Sequence, residues 1–468
     1  MKIFIDKKDF KTTFVSFIIS LTFFIITLYL FQQYSIDFSP LFLAFALYIY
    51  ARFLRKIESL PSYIDLLLLA SIAVIVTLLT SVMFKQPGYA IPAIGFVMLI
   101  TLLFDSLELS FLFAVFIAFL SGSMEGGSFN LTISLLVGSL CSAMLSYRIR
   151  RRSQIIKAGV ISGAIQFFVA FVLENSQDIL IAPQVNFSLL KLCMLNGIIS
   201  SIIVIGLLPI FEFIFKVVTN ISLLEWSDFN HPLLRKMILE APGTYQHSLV
   251  VANLAETASE AIGANSLLAR VGAYYHDIGK IPKPHYFVEN LIPYRDPHKD
   301  LKPSISKLII LNHVKEGVEL ARKNHLNPRI VDFIQQHHGK NLVYYFYHRA
   351  KELDPAKEKE YQEDYRYPGP RPQSKEVAIV ALADTVEALS RTLEEPTPAR
   401  ITEMVREVIK KKFMEGELDE SNLTLHDLDR VTQSFVRVLN AMFHTRINYP
   451  KDENSGKKST KPKEGKPL

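Results

Sequence analysis

All twelve histidines of this 468-residue chain fall between His231 and His444. Some of them stand in adjacent pairs that chemistry can use, His276-Asp277 and His337-His338, each near the end of an apolar stretch of helical character. Farther on, Asp384 sits among Ile379, Val380, Ala381 and Leu382, and burying a lone carboxylate there costs several kcal/mol unless something pairs with it. A metal ion is the partner the histidine pairs suggest; a salt bridge or a cap for a neighbour is the alternative. The two cysteines, Cys141 and Cys193, lie inside apolar segments, so neither a disulfide framework nor a thiolate metal site is supported. Oxygen and imidazole donors remain.

Helices must place these groups, because strand-like alternation is scarce and helix punctuation is plentiful after residue 220. Asn265 or Ser266 can cap a helix running to His276-Asp277, with Gly279 and Pro282 beyond. Ser304, after Pro303, opens a stretch toward His313. Asn327 and Pro328 form a cap and first-turn pair for a helix that reaches His337-His338 before Gly339 stops it. Ser374 opens the apolar run from Val377 to Leu389 that carries Asp384. Residues 341–373, rich in Tyr, Lys, Glu and Pro, lose clear periodicity after Leu353 and read as an insertion or lid. An amphipathic helix is expected at Leu425 to Phe443, and the tail from Lys451, with six lysines and three acids, is expected to be disordered.

The other half is of a different kind. The chain is 50% hydrophobic, and up to residue 217 its apolar runs are long enough for membrane spans of about 20 residues. Eight are expected, at 14–30, 40–50, 64–83, 90–104, 109–120, 131–146, 158–173 and 189–215. Lys2, Lys7, Lys8 and Lys11, then Arg52, Arg55 and Lys56, then Arg148, Arg150, Arg151, Arg152 and Lys157 occupy alternate breaks, which places both ends of the chain in the cytoplasm. The first span has no small-residue cleavage site after it and is taken as retained. Ionisable residues are nearly absent within the spans, which disfavours transport. The net charge of +6 lies largely at membrane edges and in the tail and is not a nucleic-acid footprint. The expected layout is all-α: a transmembrane bundle over 1–217, a helical cytoplasmic domain over 218–450 and a tail over 451–468.

The order His247, HDIGK with His276 and Asp277, NHVKEG with His313, the pair His337-His338 and Asp384 in LADTVEA resembles the HD-domain phosphohydrolases. With their flanks HPLLRKMILEAPGTYQHSLVVANLAE, VGAYYHDIGK, QQHHG and RYPGPRPQSKEVAIVALADTVEA, these strings are similar to the seven-transmembrane HD family of bacterial cyclic-di-AMP phosphodiesterases. YAIPAIGFVMLITLLF and LLPIFEFIFKVVTNISLLEWSD extend the likeness into the membrane half.

The resemblance implies two divalent metal ions, one on His247, His276, Asp277 and Asp384, the other on Asp277, His313, His337 and His338, with Asp277 bridging. Imidazoles and carboxylates without sulfur suit iron or manganese better than zinc. Such a pair activates water and polarises phosphoryl oxygens, so no side-chain nucleophile is needed. Lys280 is expected to aim its ammonium at the phosphate, the alternative being a solvated surface lysine. His298 is assigned no role, and His231 reads as a hinge or packing position. The implied enzyme sits in the bacterial inner membrane in contact with lipid, takes a cyclic dinucleotide and no nucleic-acid polymer, and is compatible with a homo-oligomer.

Family members usually carry a large extracellular domain after the first span, where this chain has only residues 32–39. Cyclic-di-GMP hydrolases of the HD type have a Gly-Tyr-Pro motif soon after the paired ligands, whereas here the comparable RYPGP comes about thirty residues later. Alarmone hydrolases have an acidic pair soon after HD, and HDIGKIPKP has none. A membrane receptor that binds a nucleotide without cleaving it is the rival from another class; retention of all seven ligand positions argues against it.

Overall fold

The structure, a computed structural model, describes residues 63–80, 88–175, 185–291 and 296–443. The described residues are nearly all helical and form no strand, only one isolated bridge between Leu342 and Arg366. Of the sequence expectations, the spans at 14–30 and 40–50, the basic breaks beside them, His444 and the tail from Lys451 lie outside the described residues.

The apolar half contributes α1 (Tyr63–Leu78), α2 (Ala93–Phe104), α3 (Leu107–Met124), α4 (Phe129–Ser146), α5 (Arg152–Glu174) and α6 (Phe187–Phe215). The last four are long and apolar enough to cross a membrane; α1 and α2 are shorter. The span expected at 109–120 was drawn too tightly, because Ser106 caps the helix through the Leu109 N–H and the apolar run continues to Met124. Large side chains such as Phe168, Ile202 and Phe213 face outward from α5 and α6, as a lipid-facing surface requires. Inward, the backbones of these two helices nearly touch: a Cβ on Gly159 would stand 2.3 Å from the Gly197 carbonyl oxygen, the close approach that small residues permit between membrane helices. The protein is a membrane protein.

Polar bonds tie the exit of α6 to the start of the soluble half. Buried Glu212 accepts hydrogen bonds from the Thr219 N–H and the Ser222 hydroxyl, both at 2.8 Å, and Thr219 caps α7 (Asn220–Trp226). Arg152, at the start of α5, forks onto Glu225 of α7 at 2.8 and 3.0 Å. The arginine-rich break before α5 therefore lies at the same end of the bundle as the soluble half.

The soluble half comprises α8 (Pro232–Glu240), α9 (Pro242–Ala261), α10 (Ser266–Tyr275), α11 (Pro303–Lys323), α12 (Pro328–Gln336), α13 (Tyr344–Leu353), α14 (Glu358–Asp364), α15 (Lys375–Ser390), α16 (Pro398–Met414) and α17 (Leu425–Phe443). Asn265, Asn327 and Ser374 cap α10, α12 and α15 as their positions predict. Helix α11 begins one residue earlier than Ser304 suggests, because Pro303 takes the first-turn position. The stretch 341–373 is more ordered than its periodicity indicates: α13 and α14 fold back on each other around Phe346, Tyr347 and Tyr365. One apolar core, with Leu254, Val271, Phe333, Val380 and Phe435 wholly or almost wholly buried, fixes α9, α10, α12, α15 and α17 against one another. Two bonds reach from this core back toward the membrane exit, Tyr275 Oη–H to the Trp226 carbonyl at 2.8 Å and Asn327 Nδ2–H to the Val217 carbonyl at 2.9 Å.

Candidate metal centre

The ends of α10 and α12, the body of α15 and one face each of α9 and α11 converge on a single buried point. Gly279 allows the HD turn to approach α11, since a Cβ there would lie 1.7 Å from the His313 carbonyl oxygen. At this point the donor atoms of Asp277, His313, His337 and His338 all lie within 4.8 Å of one another, and so do those of His247, His276 and Asp277.

Asp277 belongs to both sets, and its two oxygens divide between them. Oδ1 is 3.4 Å from His313 Nε2 and 3.7 Å from His337 Nε2; Oδ2 is 3.3 Å from His276 Nε2 and 3.7 Å from His247 Nε2. Asp384 Oδ1 lies 3.0 Å from His247 Nε2 and 3.9 Å from His276 Nε2, while its Oδ2 is 3.7 Å from His338 Nδ1. All seven sequence-predicted ligands are thus brought together.

The outer nitrogens of the rings are already engaged. His276 Nδ1 meets the Ala273 carbonyl at 2.7 Å, His313 Nδ1 the Ile310 carbonyl at 2.6 Å and His337 Nδ1 the Phe333 carbonyl at 2.9 Å. A carbonyl accepts only, so each Nδ1 carries the proton and each Nε2 turns its lone pair inward. His247 is held differently, its Nδ1 standing 2.5 Å from a buried Glu387 oxygen. Glu387 in turn accepts from the Arg391 guanidinium, one turn on, at 2.5 Å.

These inward atoms fit a bound cation. His276 Nε2 and Asp277 Oδ1 are buried without any hydrogen-bond partner, an arrangement that costs about 1–3 kcal/mol per group if nothing else contacts it. A divalent cation held by these atoms would remove that cost. Protonation states agree with ligation for most of the set. Burial pushes His313 and His338 below the ordinary imidazole value and His337 down to about 3, so all three are neutral near pH 7. Burial works against the Asp277 carboxylate, but Lys280 and His276 hold its pKa well below the ordinary range. His247 is the exception: despite its burial, Asp384 and Glu387 raise it to about 10, and ligation there displaces a proton.

Lys280 does not point into open space. Its ammonium is 2.8 Å from both Asp277 Oδ2 and Glu289 Oε1, and it lies over the Phe287 ring. His298 is structural, with Nε2 2.9 Å from the Tyr286 carbonyl, and His231 occupies the cap position of α8 and packs edge-on to Tyr275. Three neighbours are given no role in the sequence reading: Glu387 and Tyr367, which lie inside the strings LADTVEA and RYPGP, and Glu289, which lies in none; the Tyr367 ring is 4.3 Å from that of His338. Glu387 had a readable signal, since it lies three residues past Asp384 and so shares its helix face.

Residues 40–219 match the family described as 7TM receptor with intracellular HD hydrolase, and residues 244–389 match the HD domain. The chain is 39% identical over 390 residues to the cyclic-di-AMP phosphodiesterase PgpH of Bacillus subtilis, covering 82% of this chain and 54% of that protein. It is 38% identical over 369 residues to PgpH of Listeria monocytogenes, covering 78% and 51%. It spans about half the length of these relatives. Among solved structures, the L. monocytogenes PgpH HD domain in complex with cyclic-di-AMP is 48% identical, covers 47% of this chain and 100% of its own, and aligns with a TM-score of 0.44. With both halves matched in this order, the chain belongs to the family of seven-transmembrane receptors with an intracellular HD hydrolase domain.

Proposed function

We propose that this chain is a membrane-anchored phosphodiesterase that uses two divalent metal ions to open a cyclic dinucleotide, cyclic di-AMP, to its linear form. The observation that carries the reading is the division of Asp277: one carboxylate oxygen for His313 and His337, the other for His247 and His276. A single carboxylate between two imidazole sets is the arrangement that holds two ions side by side. The names of the PgpH relatives supply the substrate.

In this reading His247, His276, Asp277 and Asp384 would hold one ion, and Asp277, His313, His337 and His338 would hold the other. The donors are all imidazole and carboxylate, which favours iron or manganese. When bound, such a pair supplies an activated water and neutralises charge on the phosphoryl oxygens and the leaving oxygen. The protein's part is orientation. Backbone carbonyls keep three imidazoles turned inward, Glu387 does so for His247, and Lys280 holds Asp277 Oδ2 in place while adding positive charge beside the reacting phosphate.

The membrane half is assigned to 1–217, the catalytic half to 218–450 and the tail to 451–468. The catalytic half is placed in the cytoplasm, because it lies at the end of the bundle that carries Arg148, Arg151 and Arg152.

The test is turnover by the full chain in detergent, with manganese or iron, on cyclic di-AMP, cyclic di-GMP and the linear dinucleotides, with metal content measured on the same sample. The reading requires cyclic di-AMP to be converted to the linear dinucleotide and Asp277→Asn to abolish both turnover and full metal loading. Tight binding of the nucleotide with no turnover would establish a receptor instead.

A further inference from the structure

Two acids hold the Lys280 ammonium, each at 2.8 Å: Asp277 through Oδ2 and Glu289 through Oε1. Among the described residues no other acid is within ion-pair distance of it. Asp277 is the proposed bridge between the metals, whereas Glu289 has no place among the seven ligands. The Phe287 ring covers a further side of the ammonium, its centroid 5.1 Å away. The side chains of Lys280 and Glu289 are only 14% and 15% exposed, so water screens their charges weakly.

A chain of hydrogen bonds with a single sense fixes Glu289. Asn290 Oδ1 accepts from the N–H groups of Gly243 and Thr244, in the first turn of α9, at 2.9 and 3.1 Å. Asn290 Nδ2–H donates to Thr244 Oγ1 at 2.9 Å, and the Thr244 hydroxyl passes its own proton on to Glu289 Oε1 at 3.2 Å. Gly243 makes room for this contact, since a Cβ there would lie 1.8 Å from the Glu289 carbonyl oxygen. Burial opposes the charge on Glu289, but Lys280 keeps its pKa below the ordinary value. An ionised carboxylate is thus anchored to the start of the helix that carries His247.

The two acids compete for one cation. With Asp277 as its sole partner, the ammonium would close on Oδ2, the atom that faces His247 and His276. A divalent ion held through that oxygen would then meet a like charge in a poorly screened site. Resting on the proposed two-metal centre, we propose that Glu289 is a positioning residue: it holds the Lys280 ammonium between two carboxylates and so leaves Asp277 Oδ2 available to a metal ion. Lys280 keeps its place beside the centre, but part of its charge is met away from the metal.

The experiment titrates manganese into full-length protein first stripped with chelator, comparing wild type, E289Q, K280M and the double variant K280M/E289Q. Glutamine keeps the length of the side chain and can still accept from Thr244, but it offers Lys280 no charge. The proposal requires E289Q to bind manganese about tenfold or more weakly than wild type. It also requires K280M/E289Q to bind within about threefold of K280M, because without the lysine there is nothing for Glu289 to draw away. That second comparison stands even if E289Q, with Lys280 short of one partner, fails to fold. The proposal is overturned if E289Q binds within about threefold of wild type, or if K280M/E289Q falls more than about threefold below K280M, the additive result expected of a purely structural support. Wild-type protein that binds no manganese would overturn the metal centre itself and this role with it.

Discussion

The Glu387 carboxylate and the His247 imidazole stand 2.5 Å apart, and on the other side of the same ring Asp384 lies 3.0 Å from Nε2. Asp384 and Glu387 are three residues apart on α15, so one helix face supplies both a candidate metal ligand and the group that aims its neighbour. Removing an outer partner of this kind typically costs about 10- to 100-fold in metal affinity or activity. Glu387→Ala should therefore bind manganese about 10- to 100-fold more weakly, measured by titration, while excess metal restores most turnover. Glu387→Gln, which can still accept from Nδ1–H, should fall between the two.

Removal of metal should loosen the fold as well as stop the chemistry. The seven donors come from α9, the turn after α10, α11, the end of α12, and α15, so bound ions staple five parts of the chain. At a free metal concentration 100 times Kd, a ligand specific for the folded state adds about 2.7 kcal/mol. Chelation should lower the melting temperature of the soluble half by several degrees, and manganese should restore it. Identical melting curves with and without chelator would count against the buried metal centre.

Asn327 performs two tasks at once. Its Oδ1 caps α12 through the Arg329 N–H, and its Nδ2–H bonds the Val217 carbonyl at the membrane exit, both at 2.9 Å. Asn327→Ala forfeits both and should cost about 1–2 kcal/mol. Asn327→Asp keeps the cap but loses the donor. Equal melting temperatures for the two variants would show that the bond to Val217, not the cap, carries the contribution.

At the start of α17, Asp427 accepts from the Thr424 N–H, its own N–H bonds Thr424 Oγ1, and Lys375 is a third partner, each at 3.1 Å. Burial opposes the charge, but the Thr424 N–H and Lys375 leave its pKa below the ordinary value. A carboxyl lowered on folding stabilises above its unfolded pKa, about 3.9, and that contribution is lost as pH falls through the folded value. Denaturant titrations should show wild type more stable than Asp427→Asn from pH 8 to about 5, with the gap closing below about pH 4. A gap that persists at pH 3 would mean that the charge is not what stabilises this cap.

Much of this protein is legible along the chain because its determinants are local. Asn265, Asn327 and Ser374 announce their helices, apolar run lengths announce the membrane half, and the order of histidines and aspartates from His247 to Asp384 announces metal chemistry. Other features depend on which elements meet. Helices α13 and α14 are stabilised by Phe346, Tyr347 and Tyr365 packing across a turn, a pattern that periodicity in 341–373 does not display. Lys280 reads as a free cation until Glu289, nine residues on, is found beside it.

By itself the sequence determined the donor types and the helices that carry them. Tertiary structure alone decided that one oxygen of Asp277 faces His313 and His337 while the other faces His247 and His276. The reason is physical: caps and apolar spacing act within a few residues, whereas the meeting of side chains as far apart as His247 and Asp384 is set by how α9, α10, α12 and α15 bury their apolar faces in one core.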